Sequence, residues 1–129
     1  MKSNNLDVVI AEYISQDITQ DENHFFSSKL AILDTVGCII EASSHKEVME
    51  FASINNLSLN FKNPFKNLTV EESYENISWY LTVLTRWFDY NDTFLAKEWA
   101  HPSDNFGSIY SYFYKNKNFK FNDFKNALT

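Results

Sequence analysis

The chain has little of three residues that often shape small proteins. Its 129 residues include one cysteine, two glycines and two prolines. A single cysteine closes no internal disulfide, so a stapled secreted scaffold is excluded. The two glycines, Gly37 and Gly107, stand alone, which excludes collagen-like repeats and any glycine-rich phosphate loop. No uninterrupted apolar run approaches the ~20 residues that cross a bilayer as a helix, so no membrane partner is expected. Cations are outnumbered: 11 Lys and Arg face 17 Asp and Glu, for a net charge of -6. Such a chain repels phosphate backbones, which disfavours nucleic acid as a partner. His24, His45 and His101 lack ligand spacing and Cys38 has no partner motif, so no metal is expected. There is no G-x-S-x-G elbow to carry an acyl-transfer nucleophile.

What remains is an ordinary globular composition. Apolar residues make up 44% and charged residues 22%, enough to bury a core and too apolar for disorder throughout. The length suits one domain, residues 1–129. The opening MKSNNLDVVI lacks both the features of a secretion signal and the Arg-rich character of a transit peptide. A cytoplasmic location is the expectation. Cys38 then reads as a small buried hydrophobe in a reducing compartment. The Asn-x-Ser/Thr triplets at Asn67, Asn76 and Asn91 read as chance.

Apolar periodicity predicts an all-α fold of about five to six helices. Leu6, Val9, Ile10, Tyr13 and Ile14 mark one face of a helix over 6–16. Gln16 to His24 reads as a loop. Phe26, Leu30, Leu33, Gly37 and Ile40 set the face of a second helix over 26–43. Gly37 costs it about 1 kcal/mol against Ala; a close backbone crossing or simple drift accounts for it. Ser44 and Glu47 fit a capping box before a short helix over 45–54. Residues 55–68 read as a loop, and Thr69 with Glu72 forms a second capping pattern. Val70, Tyr74, Ile77, Leu81, Leu84 and Phe88 continue at helical spacing to about 89. Ser103 is expected to cap a fifth helix bearing Phe106, Ile109, Tyr110 and Phe113. Asn122 opens a last one, bearing Phe124, Ala127 and Leu128, inside which the sequence stops.

Chemistry concentrates in RWFDYNDTFLAKEWAHPSDN, residues 86–105. Asp89 and Thr93 are four apart and share a face if the preceding helix persists. Pro102 pushes His101 toward an extended conformation. Beside a helix N-terminus, its ring is placed to meet an anion whose charge the amides after Ser103 would share. Plainer readings stand beside these. Asp92 and Thr93 suit a turn that ends a helix, Ser103 and Asp104 suit any helix start, and Trp87 and Trp99 are expected in the core. Composition and spacing alone define a soluble helical domain without a function.

The same segment resembles the MmgE/PrpD family, and within it the 2-methylcitrate dehydratases. The family pattern R-W-x-D-[FY]-N-D-x-x-L-A-x-E-W-x-H-P-S-D-N is met by Arg86, Trp87, Asp89, Tyr90, Asn91, Asp92, Leu95, Ala96, Glu98, Trp99, His101, Pro102, Ser103, Asp104 and Asn105. LDTVGCIIEA, from Leu33 to Ala42, resembles a second family helix. The resemblance implies a partial helical domain of the MmgE/PrpD type, because family members are several times longer. By the resemblance, this chain is expected to correspond to their N-terminal portion, without the second, α+β domain. The loop from Asn55 to Thr69 also lacks the family's Gly-Pro-rich character.

The implied activity is a step of propionate catabolism, a lyase reaction that eliminates water from a tricarboxylic acid without metal or cofactor. The resemblance carries Asp89, Thr93 and His101 over as catalytic residues, and Arg86, Asn91 and Ser103 as substrate-binding ones. His101 is the acid–base or charge-stabilising group, since an imidazole titrates near neutrality. Which group takes the proton stays open. So do an inactive helical remnant or interaction module, and another family reaction such as cis-aconitate decarboxylation. The E-W-x-H-P-S-D-N stretch favours the dehydratase. A chain this short is expected to be inactive alone, and a homodimer or a complementing downstream polypeptide is the expected partner. Aromatics crowd its end, from Tyr110 to Phe124, and are expected to leave an exposed apolar patch.

Overall fold

The computed structural model describes residues 6–15, 22–54, 65, 73–116 and 120–127. These form helices α1 (Leu6–Ile14), α2 (Glu22–Ser43), α3 (Lys46–Ile54), α4 (Tyr74–Arg86), α5 (Phe106–Lys115) and α6 (Phe121–Ala127). A two-residue hairpin ladder, β1 (Phe94–Leu95) with β2 (Trp99–Ala100), and a 3-10 turn over Pro102–Asn105 join α4 to α5. The expectation of an all-α fold holds, with this small ladder as the only strand pairing among the described residues.

Helix α4 is the central element. Ser73 caps it by accepting from the Asn76 amide at 3.1 Å; the expected capping pair Thr69 and Glu72 lies outside the described residues. Ile77, Tyr80, Leu81 and Leu84 are buried along it, as their spacing predicts. Helices α2 and α5 pack on α4, and the 3-10 turn rests against all three. At the α4–α5 crossing, Gly107 is what lets the backbones meet. A Cβ there would lie 2.6 Å from both the Ser78 carbonyl oxygen and Thr82 Oγ1. Phe106 is buried, and Phe124 from α6 sets its ring edge against Phe106, Tyr110 and Phe113. The terminal aromatics therefore build core more than patch; Tyr112 and Phe121 stay exposed, and Phe119 lies outside the described residues.

Helix α2 inverts the expected face. Ser28, Thr35, Cys38, Ile39 and Ala42 are buried, while Phe26, Leu30, Leu33 and Ile40 are exposed. The sets Ser28, Ile32, Thr35, Ile39, Ala42 and Phe26, Leu30, Leu33, Gly37, Ile40 have one spacing and a two-residue offset. At about 100° per residue they occupy opposite faces. Thr35 tolerates burial because its hydroxyl donates to the Ala31 carbonyl at 2.7 Å. Nothing lies within 4 Å of a Cβ built on Gly37, so no close crossing explains that glycine. The stripe on α1 is likewise outward, with Leu6, Val9, Ile10 and Tyr13 exposed.

Two predicted caps also differ. The Ser44 hydroxyl donates to the Glu41 carbonyl at 2.7 Å, serving the end of α2 rather than the start of α3. Asn122 lies inside α6 instead of before it. Among the described residues no helix is long and apolar enough to cross a membrane.

Candidate functional site

The site segment begins where α4 stops. Trp87 takes the C-cap position, and Asp89 enters the left-handed region at φ 55°, a conformation that Asp tolerates better than most residues. That turn ends the helix, so Asp89 and Thr93 do not share a helical face. Arg86, in the last turn of α4, spans the turn. Its Nη2 meets Asp89 Oδ1 at 2.7 Å and its Nε lies 3.7 Å from Asp104 Oδ1 on the 3-10 turn. Arg86 Nη1 is buried without a hydrogen-bond partner among the described residues.

Beyond Asp89 the chain runs out and back as the β1–β2 hairpin. Phe94 pairs with Ala100 and Leu95 with Trp99, and the Ala96 amide donates to the Glu98 carbonyl at 3.2 Å to close the tip. The return strand delivers His101, extended at φ -109° and ψ 101°, as its place before Pro102 predicts. His101 Nδ1 donates to the Asp92 carbonyl at 2.7 Å and lies 3.5 Å from Thr93 Oγ1. The Trp99 ring stands edge-on to the imidazole at 5.3 Å. Trp99 is exposed on the hairpin, while Trp87 packs against the core. The core expectation for tryptophan therefore fails at Trp99.

Ser103 does not cap α5. It is buried in the 3-10 turn; its Oγ accepts from Asn91 Nδ2 at 2.6 Å, and its amide donates to Asp92 Oδ1 at 3.1 Å. The Asp104 amide is taken by the His101 carbonyl. Of the amides after Ser103 expected to share an anion's charge, that of Asp104 is thus satisfied by the protein's own oxygen, and the Ser103 amide beside it is taken by the Asp92 carboxylate. Asn91 is buried with Ser103, and its Oδ1 has no hydrogen-bond partner among the described residues.

The expected residues therefore fall into three groups. Thr93 meets His101, Asp89 meets Arg86, and Asn91 meets Ser103. A cavity of about 10 Å³ lies beside Ser103, lined by Ala31, Ile32, Thr35, Pro102 and Phe106. Open grooves of about 610 Å³ and 580 Å³ run along α4 past Trp79 and Tyr112. Asp89, Thr93 and His101 line none of these hollows. Among the described residues no group of His, Cys, Asp and Glu is arranged to hold a metal ion. Burial, reinforced by the Asp34 charge, pushes the Cys38 thiol upward, which suits a packed thiol rather than a nucleophile.

Asp92 is the residue that the sequence reading undervalued. It reads as a turn former, yet it bonds to both His101 and Ser103. The available signal was an acid eleven residues before a serine amide that follows His-Pro. Only the hairpin brings those positions together.

A helical layer that carries a Thr–His hairpin, braced by an acid, defines the class of domain present. The chain belongs to the MmgE/PrpD family: residues 8–118 match the MmgE/PrpD N-terminal domain. It is 32% identical over 111 residues to a 2-methylcitrate dehydratase of Salmonella typhi, covering 81% of this chain and 21% of that protein. With a probable 2-methylcitrate dehydratase of Saccharomyces cerevisiae it shares 30% identity over 112 residues, 78% of this chain and 20% of the relative. An alkylcitrate dehydratase of a fungal species is 29% identical over 110 residues, 79% of this chain and 21% of its own length. The chain spans about a fifth of the length of these relatives. No solved structure matches it.

Proposed function

We propose that this chain supplies one wall of a site for dehydration of a tricarboxylic acid of the 2-methylcitrate type, and that the wall is incomplete alone. The observation that supports this reading is the Thr93–His101 contact, formed by the segment through which the chain resembles the dehydratases. In the elimination, a C–H proton beside a carboxylate passes to a base and its electron pair becomes the C=C bond. Hydroxide leaves from the neighbouring carbon and is protonated to water. His101 is the proton-transfer group, Thr93 a hydroxyl for a substrate oxygen, and Asp89 an orienting acid. Asn91 and Ser103 support the wall from within.

Incompleteness follows from charge. A tricarboxylate carries up to three negative charges and calls for several converging cations. Arg86 is already engaged by Asp89 and Asp104, which leaves Lys97 as the cation from this segment. Further cations, and cover against water, must come from outside this segment, and we assign them to a complementing polypeptide or a second copy. The outward apolar faces of α1 and α2 favour a second reading, a helical interaction module without activity.

The test is an amide NMR titration of the 129-residue chain with 2-methylcitrate, alongside a turnover assay that follows the unsaturated product. Weak binding confined to residues 86–105, with no turnover, is expected. Absence of shifts at Thr93 and His101 sinks the dehydratase reading and leaves the interaction module. Turnover lost in His101→Ala would show that the site is complete within this chain.

A further inference from the structure

We infer that Asp92 is a positioning residue that holds His101 as the Nδ1–H tautomer and so leaves Nε2 as the nitrogen able to take a proton. The use of that lone pair in an elimination rests on the proposed function; the tautomer itself does not.

A carbonyl oxygen only accepts hydrogen bonds. His101 Nδ1 lies 2.7 Å from the Asp92 carbonyl oxygen, so in the neutral ring Nδ1 carries the proton. Thr93 Oγ1, at 3.5 Å from the same nitrogen, is too distant to compete for it. Nε2 has no hydrogen-bond partner among the described residues. The tautomer that a ring adopts follows the bond its other nitrogen makes, and free histidine prefers the opposite form, Nε2–H. The protein therefore inverts the intrinsic preference.

Asp92 makes the inversion durable because it holds the bend at a second point. Its carboxylate Oδ1 accepts the Ser103 amide at 3.1 Å. Residues 92 and 101–103 are thereby tied by both the main chain and the side chain of Asp92, and Pro102 stiffens the span between. If the Ser103 bond is lost, the turn is held only through the neighbouring Asn91–Ser103 side-chain bond, residue 92 can rotate its carbonyl away, and the 2.7 Å contact goes with it. The charge of Asp92 is incidental to this task, and an acceptor oxygen suffices. In the elimination, Nε2 takes the C–H proton, the C–H electron pair becomes the double bond, and the departing hydroxide is balanced as water by that same proton.

The experiment is long-range 1H–15N NMR of the labelled full chain at alkaline pH, where imidazole is neutral. His101 is assigned by the signals that vanish in His101→Gln. A pyridine-type Nε2 and a pyrrole-type Nδ1 are expected in the wild type and in Asp92→Asn, which keeps an acceptor oxygen. Asp92→Ala is expected to lose the Nδ1–H form as the dominant species, with unchanged far-UV circular dichroism. A dominant Nε2–H form in the wild type overturns the inference, as does an Asp92→Ala protein whose tautomer matches the wild type. Should Asp92→Ala fail to fold, Asp92→Asn and the wild type still decide, since a shift of Asp92→Asn to Nε2–H contradicts the acceptor role. An Nδ1–H ring in a chain that ignores 2-methylcitrate would sink the dehydratase reading alone.

Discussion

Tyr80 is 2% exposed at the centre of α4, and burial pushes its phenol from the ordinary 10 up to about 12. Between those values the unfolded chain releases the proton while the folded chain keeps it. The folded state then binds more protons, so stability is full below pH 10 and falls as pH rises toward 12. The loss is on the order of 2 kcal/mol. Urea titrations across this window should show a shallower decline in Tyr80→Phe than in the wild type. Part of the remaining slope belongs to Tyr110, whose phenol burial also raises. An unchanged slope would mean that Tyr80 titrates as an exposed phenol. At this scale the sequence was most legible where chemistry is local. The extended backbone of His101 follows from Pro102 beside it. The bond from the Ser103 amide to Asp92 follows from nothing within four residues of either.

Helices were legible as elements because apolar spacing is a short-range property: α3 falls close to its predicted span, and α4, Tyr74–Arg86, lies within the predicted 70–89. The glycines were not. Gly37 carries no contact that a methyl group would disturb, whereas Gly107 sits where α5 crosses α4. Gly37→Ala should raise stability by up to about 1 kcal/mol through helix propensity. Gly107→Ala should lower it by about 1 to 3 kcal/mol, since its Cβ meets the backbone carbonyl of Ser78 and must push the helices apart. Equilibrium urea denaturation of the two variants checks both signs. Equal and opposite shifts in the other direction would mean that α4 and α5 do not cross at Gly107.

The whole molecule presents more apolar surface than its core needs. Leu6, Val9, Ile10 and Tyr13 on α1, Phe26, Leu30, Leu33 and Ile40 on α2, and Phe94, Leu95 and Trp99 on the hairpin are between 48% and 78% exposed. Apolar faces of this extent promote association. Sedimentation velocity should show mass rising with protein concentration. The double variant Leu30→Lys, Leu33→Lys should sediment nearer the monomer, with folding stability within about 0.5 kcal/mol of the wild type because those side chains touch solvent. A concentration-independent monomer in the wild type would show that these faces stay solvated.

Sequence alone determined that this chain is helical and where α3 and the body of α4 lie, and it singled out residues 86–105 as the candidate site. Those properties depend on the 3.6-residue period, on proline's fixed torsion and on residue types within a few positions of one another. Tertiary structure alone decided which of two equally spaced stripes on α2 faces α4, since periodicity defines a face without naming its partner. It also decided that Asp92 receives the Ser103 amide and that His101 meets Thr93. Those choices depend on where the hairpin folds the chain back, and that turn brings together residues eight to twelve positions apart which no local rule connects.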